Sequence, residues 1–170
     1  MTTWIALLRG INVGGSGILA MKDLVALCID LGFENPRTYI QSGNVLFESR
    51  LKEDAVRAKL ATALAAKMSK PIEVMVRTTA ELRKVLESNP FPDREPAKVA
   101  VAFLPGRAPA KELKNLSTPG GEQVVAGLRE VYVYYPDGMG RSKLKLPLGG
   151  AAATARNINT VSKLISLAEG

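Results

Sequence analysis

Residues 37–49 read RTYIQSGNVLFES, two runs rich in β-branched and aromatic residues on either side of Ser42-Gly43-Asn44. That pattern predicts a β-hairpin, with Gly43 and Asn44 tolerating positive φ at the turn. Upstream, in TWIALLR at 3–9, Trp4, Ala6 and Leu8 alternate with Ile5 and Leu7, so a strand apolar on both faces is expected. After a glycine-rich loop, Met21, Leu24, Val25, Leu27, Cys28 and Leu31 fall on one helical stripe, and Gly32 supplies a left-handed stop. Downstream, residues 52–68 carry Ala55, Leu60, Leu64 and Met68 and read as a second helix ended before Pro71, followed by the strand PIEVMVR at 71–77. The order is β-α-β-β-α-β, a ferredoxin-like unit.

A second unit opens with a helix near Thr79, where Thr79-Ala80-Glu81-Leu82 supplies a cap and an early acidic residue. A proline-punctuated loop (89–96), a strand (98–104), a short helix (109–116) and two strands joined around 127–129 follow. TARNINTVSKLISLAEG, 154–170, reads as the last helix, capped by Thr154 or Asn157 and striped by Ile158, Val161, Leu164, Ile165 and Ala168. The fold class is α+β: a ferredoxin-like unit over residues 1–78 packed on a second, smaller antiparallel α+β unit over 79–170. No strong sequence repeat relates the halves, which leaves the second unit's strand order open.

With 46% hydrophobic and 23% charged residues among 170, the composition is that of an ordinary globular protein. No apolar run reaches the length of a membrane span and no cationic leader precedes an apolar one, so a cytoplasmic protein without a membrane partner is expected. Histidine is absent and Cys28 is the one cysteine, set in an apolar helical stripe as a buried, inert thiol. Zinc sites and Ser-His or Cys-His catalysis are thereby excluded, and neither metal nor cofactor is expected. The formal charge of +7 is uneven. Between Asp137 and Glu169 there is no acid, yet Arg141, Lys143, Lys145, Arg156 and Lys163 fall there, which points to an anionic partner.

Four motifs carry candidate chemistry. LLRGINVGGSG, 7–17, has P-loop glycine spacing, but Ser16-Gly17 stands where Lys-Ser/Thr is required. Gly15-Ser16-Gly17-Ile18-Leu19-Ala20 matches a dinucleotide fingerprint, but a hairpin follows the helix in place of a parallel strand. What remains is an anion nest built by Arg9, Asn12, Gly14 and Gly15, or a wide turn whose glycines relieve sterics. Gln41, Ser42 and Asn44 at the hairpin tip offer paired donors and acceptors, and an Asx turn accounts for Asn44 alone. DGMGRSK at 137–143 delivers Arg141, Ser142 and Lys143 together, a donor set suited to phosphate. In TARN, Arg156 and Asn157 stand at the expected helix opening, where an anion is welcome and a cation is not.

LLRGINVGG, LGF at 31–33, TYIQSGNVLF, NPF at 89–91, VYVYYPDGMGRSKL and TARNINTVSKL together resemble the bacterial domain-of-unknown-function family 1697, in order from Ile5 to Leu167. The resemblance implies an α+β fold with a ferredoxin-like part, and that the motifs at 9–15, 41–44, 140–143 and 154–160 define the family. It implies two departures as well: Ser16, Gly17 and Ile18 stand where members often carry lysines, and Ile158 where they usually carry tryptophan.

The leading expectation is a binding module in which the four motifs converge on a donor-rich, acid-poor basic cleft between the two units. Its ligand would be a phosphate-bearing or other anionic small molecule, a nucleotide included. Extended nucleic acid is a weaker variant, because SGNVLF lacks the exposed aromatics of RNA-recognition strands. The alternatives are an enzyme working by Arg/Lys electrostatics, and a structural or self-associating module. In the last, Arg9 or Arg156 pairs with an acid such as Glu34, Glu48 or Asp137.

Overall fold

A computed structural model of the chain describes residues 1–9, 11, 19–39, 43–148 and 153–170. β1 (Thr2–Arg9) lies between β3 (Asn44–Ser49) and β4 (Glu73–Thr78), with β2 (Glu34–Tyr39) outside β3. The sheet is antiparallel, in the order β2-β3-β1-β4. With α1 (Met21–Asp30) and α2 (Glu53–Met68) in the connections, the β-α-β-β-α-β chain order is the expected one.

The sheet's central strand is its most apolar. Every residue from Trp4 to Leu8 is buried. Trp4, Ala6 and Leu8 meet Val45, Phe47, Val74 and Val76 in one core with Leu24 and Cys28 of α1 and Val56, Leu60 and Leu64 of α2. These helical residues are four apart, the spacing that returns to one face. Counting back from Leu64 by fours reaches Val56, so Ala55, expected on the stripe, is exposed. Helix α1 ends as Gly32 promised. At φ +85°, Gly32 donates to Ile29 O at 2.9 Å and Phe33 to Cys28 O at 3.0 Å, a Schellman closure. That closure delivers Phe33 onto Phe47, ring centroids 4.2 Å apart.

At the hairpin, Gly43 has φ +87°, but Asn44 does not share it and already belongs to β3. Gly43 is needed for space as well. A Cβ there would stand 2.9 Å from Ile11 Cδ1 and 3.0 Å from Leu8 Cβ, while its carbonyl accepts the Leu8 N–H at 2.8 Å.

Helix α3 (Thr79–Glu87) is capped one residue earlier than expected. Thr78 Oγ1 accepts from the Glu81 N–H at 3.1 Å and Glu81 Oε1 from the Thr78 N–H at 2.9 Å, a reciprocal capping box. Then come β5 (Val99–Phe103), α4 (Ala110–Leu113), β6 (Gln123–Ala126), β7 (Glu130–Tyr134), β8 (Thr154–Asn157) and α5 (Ile158–Glu169). The second sheet, also antiparallel, is ordered β6-β7-β5-β8, so it repeats the first sheet's strand order.

TARN is therefore not the opening of the last helix. It is an edge strand paired with β5 from Phe103↔Thr154 to Ala100↔Asn157. The cap signal belonged to Asn157, whose Oδ1 accepts the Thr160 N–H at 2.9 Å, and nothing helical constrained the residues before it. Where the first unit has the 16-residue α2, the second has an extended segment. Its alternating Leu144, Leu146 and Leu148 pack with Ala102, Val131 and Val133, leaving Lys143 and Lys145 exposed.

By internal contacts the chain divides into residues 1–82 with 166–170, and residues 83–165. Among the described residues no helix is long and apolar enough to cross a membrane. Urea unfolding checks the core and the cap: Leu64→Ala lowers stability by about 2–5 kcal/mol, and Thr78→Ala by about 1 kcal/mol.

Candidate functional site

Two turns of the second unit face each other. After β7 the chain bends at Pro136-Asp137-Gly138, with Gly138 at φ +86° donating to Tyr135 O at 3.0 Å, and a single 3₁₀ turn, Met139–Arg141, then presents Arg141, Ser142 and Lys143. Opposite, Gly121 at φ +77° donates to Thr118 O at 3.1 Å, and the turn it closes delivers Glu122 just before β6. One side-chain tie joins the turns. Ser142 Oγ donates to Glu122 Oε2 at 2.7 Å, the Gly120 N–H donates to Glu122 Oε1 at 2.9 Å, and Ser142 Oγ accepts the Leu144 N–H at 3.1 Å. Residue 120 has to be glycine for this, since a Cβ there would stand 2.5 Å from Glu122 Oε2.

The turns border a cavity of about 330 Å³ whose walls include Glu122, Tyr135, Asp137, Arg141, Ser142 and Lys143. The hydrogen bond from Ser142 holds the Glu122 carboxyl below its ordinary pKa, helped by backbone N–H donors against a smaller opposing effect of burial. Burial first, and then the Glu122 charge, push the Tyr135 phenol up, so its hydroxyl stays protonated. Arg141 and Lys143 are exposed and make no ion pair among the described residues. The pocket thus holds two cations and two acids, correcting the acid-poor site expected from the motif alone. Glu122 and Tyr135 were passed over in the sequence. Glu122 sits twenty residues before Ser142 with only a Pro-Gly-Gly turn to mark it, and Tyr135 reads as one more strand aromatic.

The other candidates separate from this pocket. Arg156 lies opposite Val101, which lies opposite Tyr132. Cross-strand partners share a face. Arg156 is thus on the side where the Tyr132 hydroxyl donates to Val85 O of α3 at 2.7 Å, whereas Leu144 and Tyr135 pack on the Ala102 and Val131 side. The two C-terminal basic motifs therefore do not converge. Burial draws the Arg156 pKa down to about 10, which leaves it cationic at neutral pH, and its Nη1 donates to Ala155 O at 2.9 Å. Asn157 is spent on capping α5, and the buried Asn44 donates from Nδ2 to Tyr39 O at 3.1 Å, closing the hairpin.

Arg9 ends β1, exposed and in register with Glu73 of β4. Asn12, Gly14, Gly15, Gln41 and Ser42 lie outside the described residues. A further arginine escaped notice in PIEVMVR. Arg77 is buried in β4, and its Nη1 donates to Val76 O at 2.9 Å. Cys28 is fully buried, and that burial raises its pKa to about 12.

Three comparisons with known proteins bear on the chain. Residues 1–132 match the family described as "Protein of unknown function (DUF1697)". No curated protein matches. Among solved structures, a conserved bacterial protein from Streptococcus pneumoniae superposes with a TM-score of 0.78 over 98% of each chain at 24% identity, a likeness of fold.

Two outcomes are expected. Ser142→Ala lowers the melting temperature by a few degrees at neutral pH, because it takes the hydroxyl donor from Glu122 Oε2 and the acceptor from the Leu144 N–H. The lowered pKa makes the Glu122 contribution complete above the unfolded value near 4.5 and lost as pH falls through the folded one, so the gap between wild type and variant narrows below pH 4.5. Cys28 reacts with a chromogenic disulfide reagent only after denaturation.

Proposed function

The chain belongs to the DUF1697 family of proteins of unknown function, and we propose that it is a binding module whose second unit holds a small ligand by a phosphate or carboxylate group. The reading is carried by one observation: Arg141 and Lys143 line the same cavity and make no ion pair among the described residues. A guanidinium fork and an ammonium side by side match the oxygens of an anion. The cavity, about 330 Å³, lies at the small end of ligand-pocket volumes, which suits a small molecule or a mononucleotide better than an extended polymer.

A second reading rests on the tie between the two turns. Gly120, Glu122, Ser142 and Leu144 form a closed hydrogen-bonded set, and a module whose polar residues only lock its turns needs nothing more. Charge at 141 and 143 separates the two. Calorimetric titration at low salt with inorganic phosphate and a panel of mononucleotides and small carboxylates is expected to give saturable heat. Arg141→Ala with Lys143→Ala is expected to weaken binding by at least about tenfold, the worth of one charge-assisted contact, while the melting temperature stays within a degree or so of wild type. No heat with any probe, or unchanged affinity in the double variant, overturns the binding reading in favour of the lock.

A further inference from the structure

We infer, resting on the binding reading above, that the ligand is a zwitterion: a small molecule whose phosphate or carboxylate meets Arg141 and Lys143 while an amino group of the same molecule meets Glu122 and Tyr135. The pocket keeps its two signs of charge apart. Arg141 and Lys143 pair with no acid among the described residues, and Glu122, which could have neutralised either, is tied to Ser142 and Gly120.

The charge on Glu122 is not required by that tie. A glutamine could still join the turns, accepting the Gly120 N–H with its carbonyl and donating its amide to Ser142 Oγ, although the serine proton would then turn to another acceptor. A pocket meant only for an anion is weakened by a carboxylate in its wall, because like charges repel in a partly desolvated site. Glu122 is such a carboxylate, only 6% exposed, lining the cavity and held ionised by its donors. Its two oxygens offer about four acceptor sites, and Ser142 and Gly120 occupy one on each oxygen. Those left are what an ammonium seeks. Tyr135 also lines the cavity, and an aromatic side chain attracts a cation as well. Asp137, exposed at the same cavity, adds a second acid and no repulsion toward an amino group.

Matched probes test this. Phosphoethanolamine and ethyl phosphate share an anion and differ in the amino group, as do β-alanine and propionate for a carboxylate. Titrated calorimetrically into wild type, the amino-bearing member of at least one pair is expected to bind at least about tenfold more tightly, the worth of one close charge pair. Glu122→Gln is expected to abolish that preference while leaving ethyl phosphate or propionate bound as well as before or better, and to melt no more than a few degrees below wild type at neutral pH, as the stabilisation of the ionised carboxylate is lost. Equal affinity within each pair, or a preference that survives in Glu122→Gln, overturns the zwitterion and leaves the anion site standing. If no probe of either pair binds, both readings fall. Should the variant not fold, the comparison within each pair on wild type still decides.

Discussion

Each Å² of apolar sheet face left in water costs about 25 cal/mol, and this chain covers the faces of its two sheets by different means. Under β1 of the first unit lie two helices, with Leu24, Cys28, Val56, Leu60 and Leu64 reaching Trp4, Ala6 and Leu8. The second sheet repeats the strand order, but among the described residues between β7 and β8 the chain forms a single 3₁₀ turn, Met139–Arg141, and then runs extended. There Leu144, Leu146 and Leu148 cover Ala102, Val131 and Val133. An extended strap satisfies few of its own backbone groups, here the Leu148 N–H on Leu146 O at 3.0 Å. Its entry must therefore be held by turns and side chains, and that is where the polar residues of 135–143 gather. The pocket lies at the entry of that strap.

Glu122 shows how such an entry is pinned. Its carboxylate draws together an N–H from its own turn and a hydroxyl from the facing one, and that hydroxyl in turn receives the Leu144 N–H at the start of the strap. Core packing and pocket geometry are coupled at one residue: Leu144 packs half-buried on the sheet while its amide donates to the serine that holds the acid. Arg141 and Lys143 flank this serine: Arg141 is exposed at the end of the 3₁₀ turn, and Lys143 because the extended backbone that follows sends alternate side chains outward.

Much of the fold was legible in the sequence because its strongest signals are periodic. The alternation in 3–9, the four-residue spacing of Leu60 and Leu64, and glycine at 32 and 43 each had one physical reading, and the structure has it. Illegible were features set by partners distant in sequence. TARN became a strand because β5 had an unpaired edge, which no local pattern announces. The acid of the pocket comes from a turn twenty residues before the motif it serves, and Arg156 faces away from that motif because of its register with Val101. Asn44 and Asn157 looked like recognition groups because they are polar and follow turns, yet each satisfies a nearby backbone group. Short polar side chains compete for such local bonds before any ligand arrives.

The matched family residues end at 132, whereas Tyr135, Asp137, Arg141, Ser142 and Lys143 come after them. Only Glu122 and its turn fall within the match. The similar solved structure covers 98% of the chain at 24% identity, a likeness of fold that extends past the matched family residues. Fold and site chemistry separate at this point. A sheet that needs a strap constrains the leucines and the tie that fixes their entry, but it places no demand on exposed residues at 141 and 143 or on a charge at 122. Arg141 and Lys143 line the pocket with charge that the packing of the strap does not use.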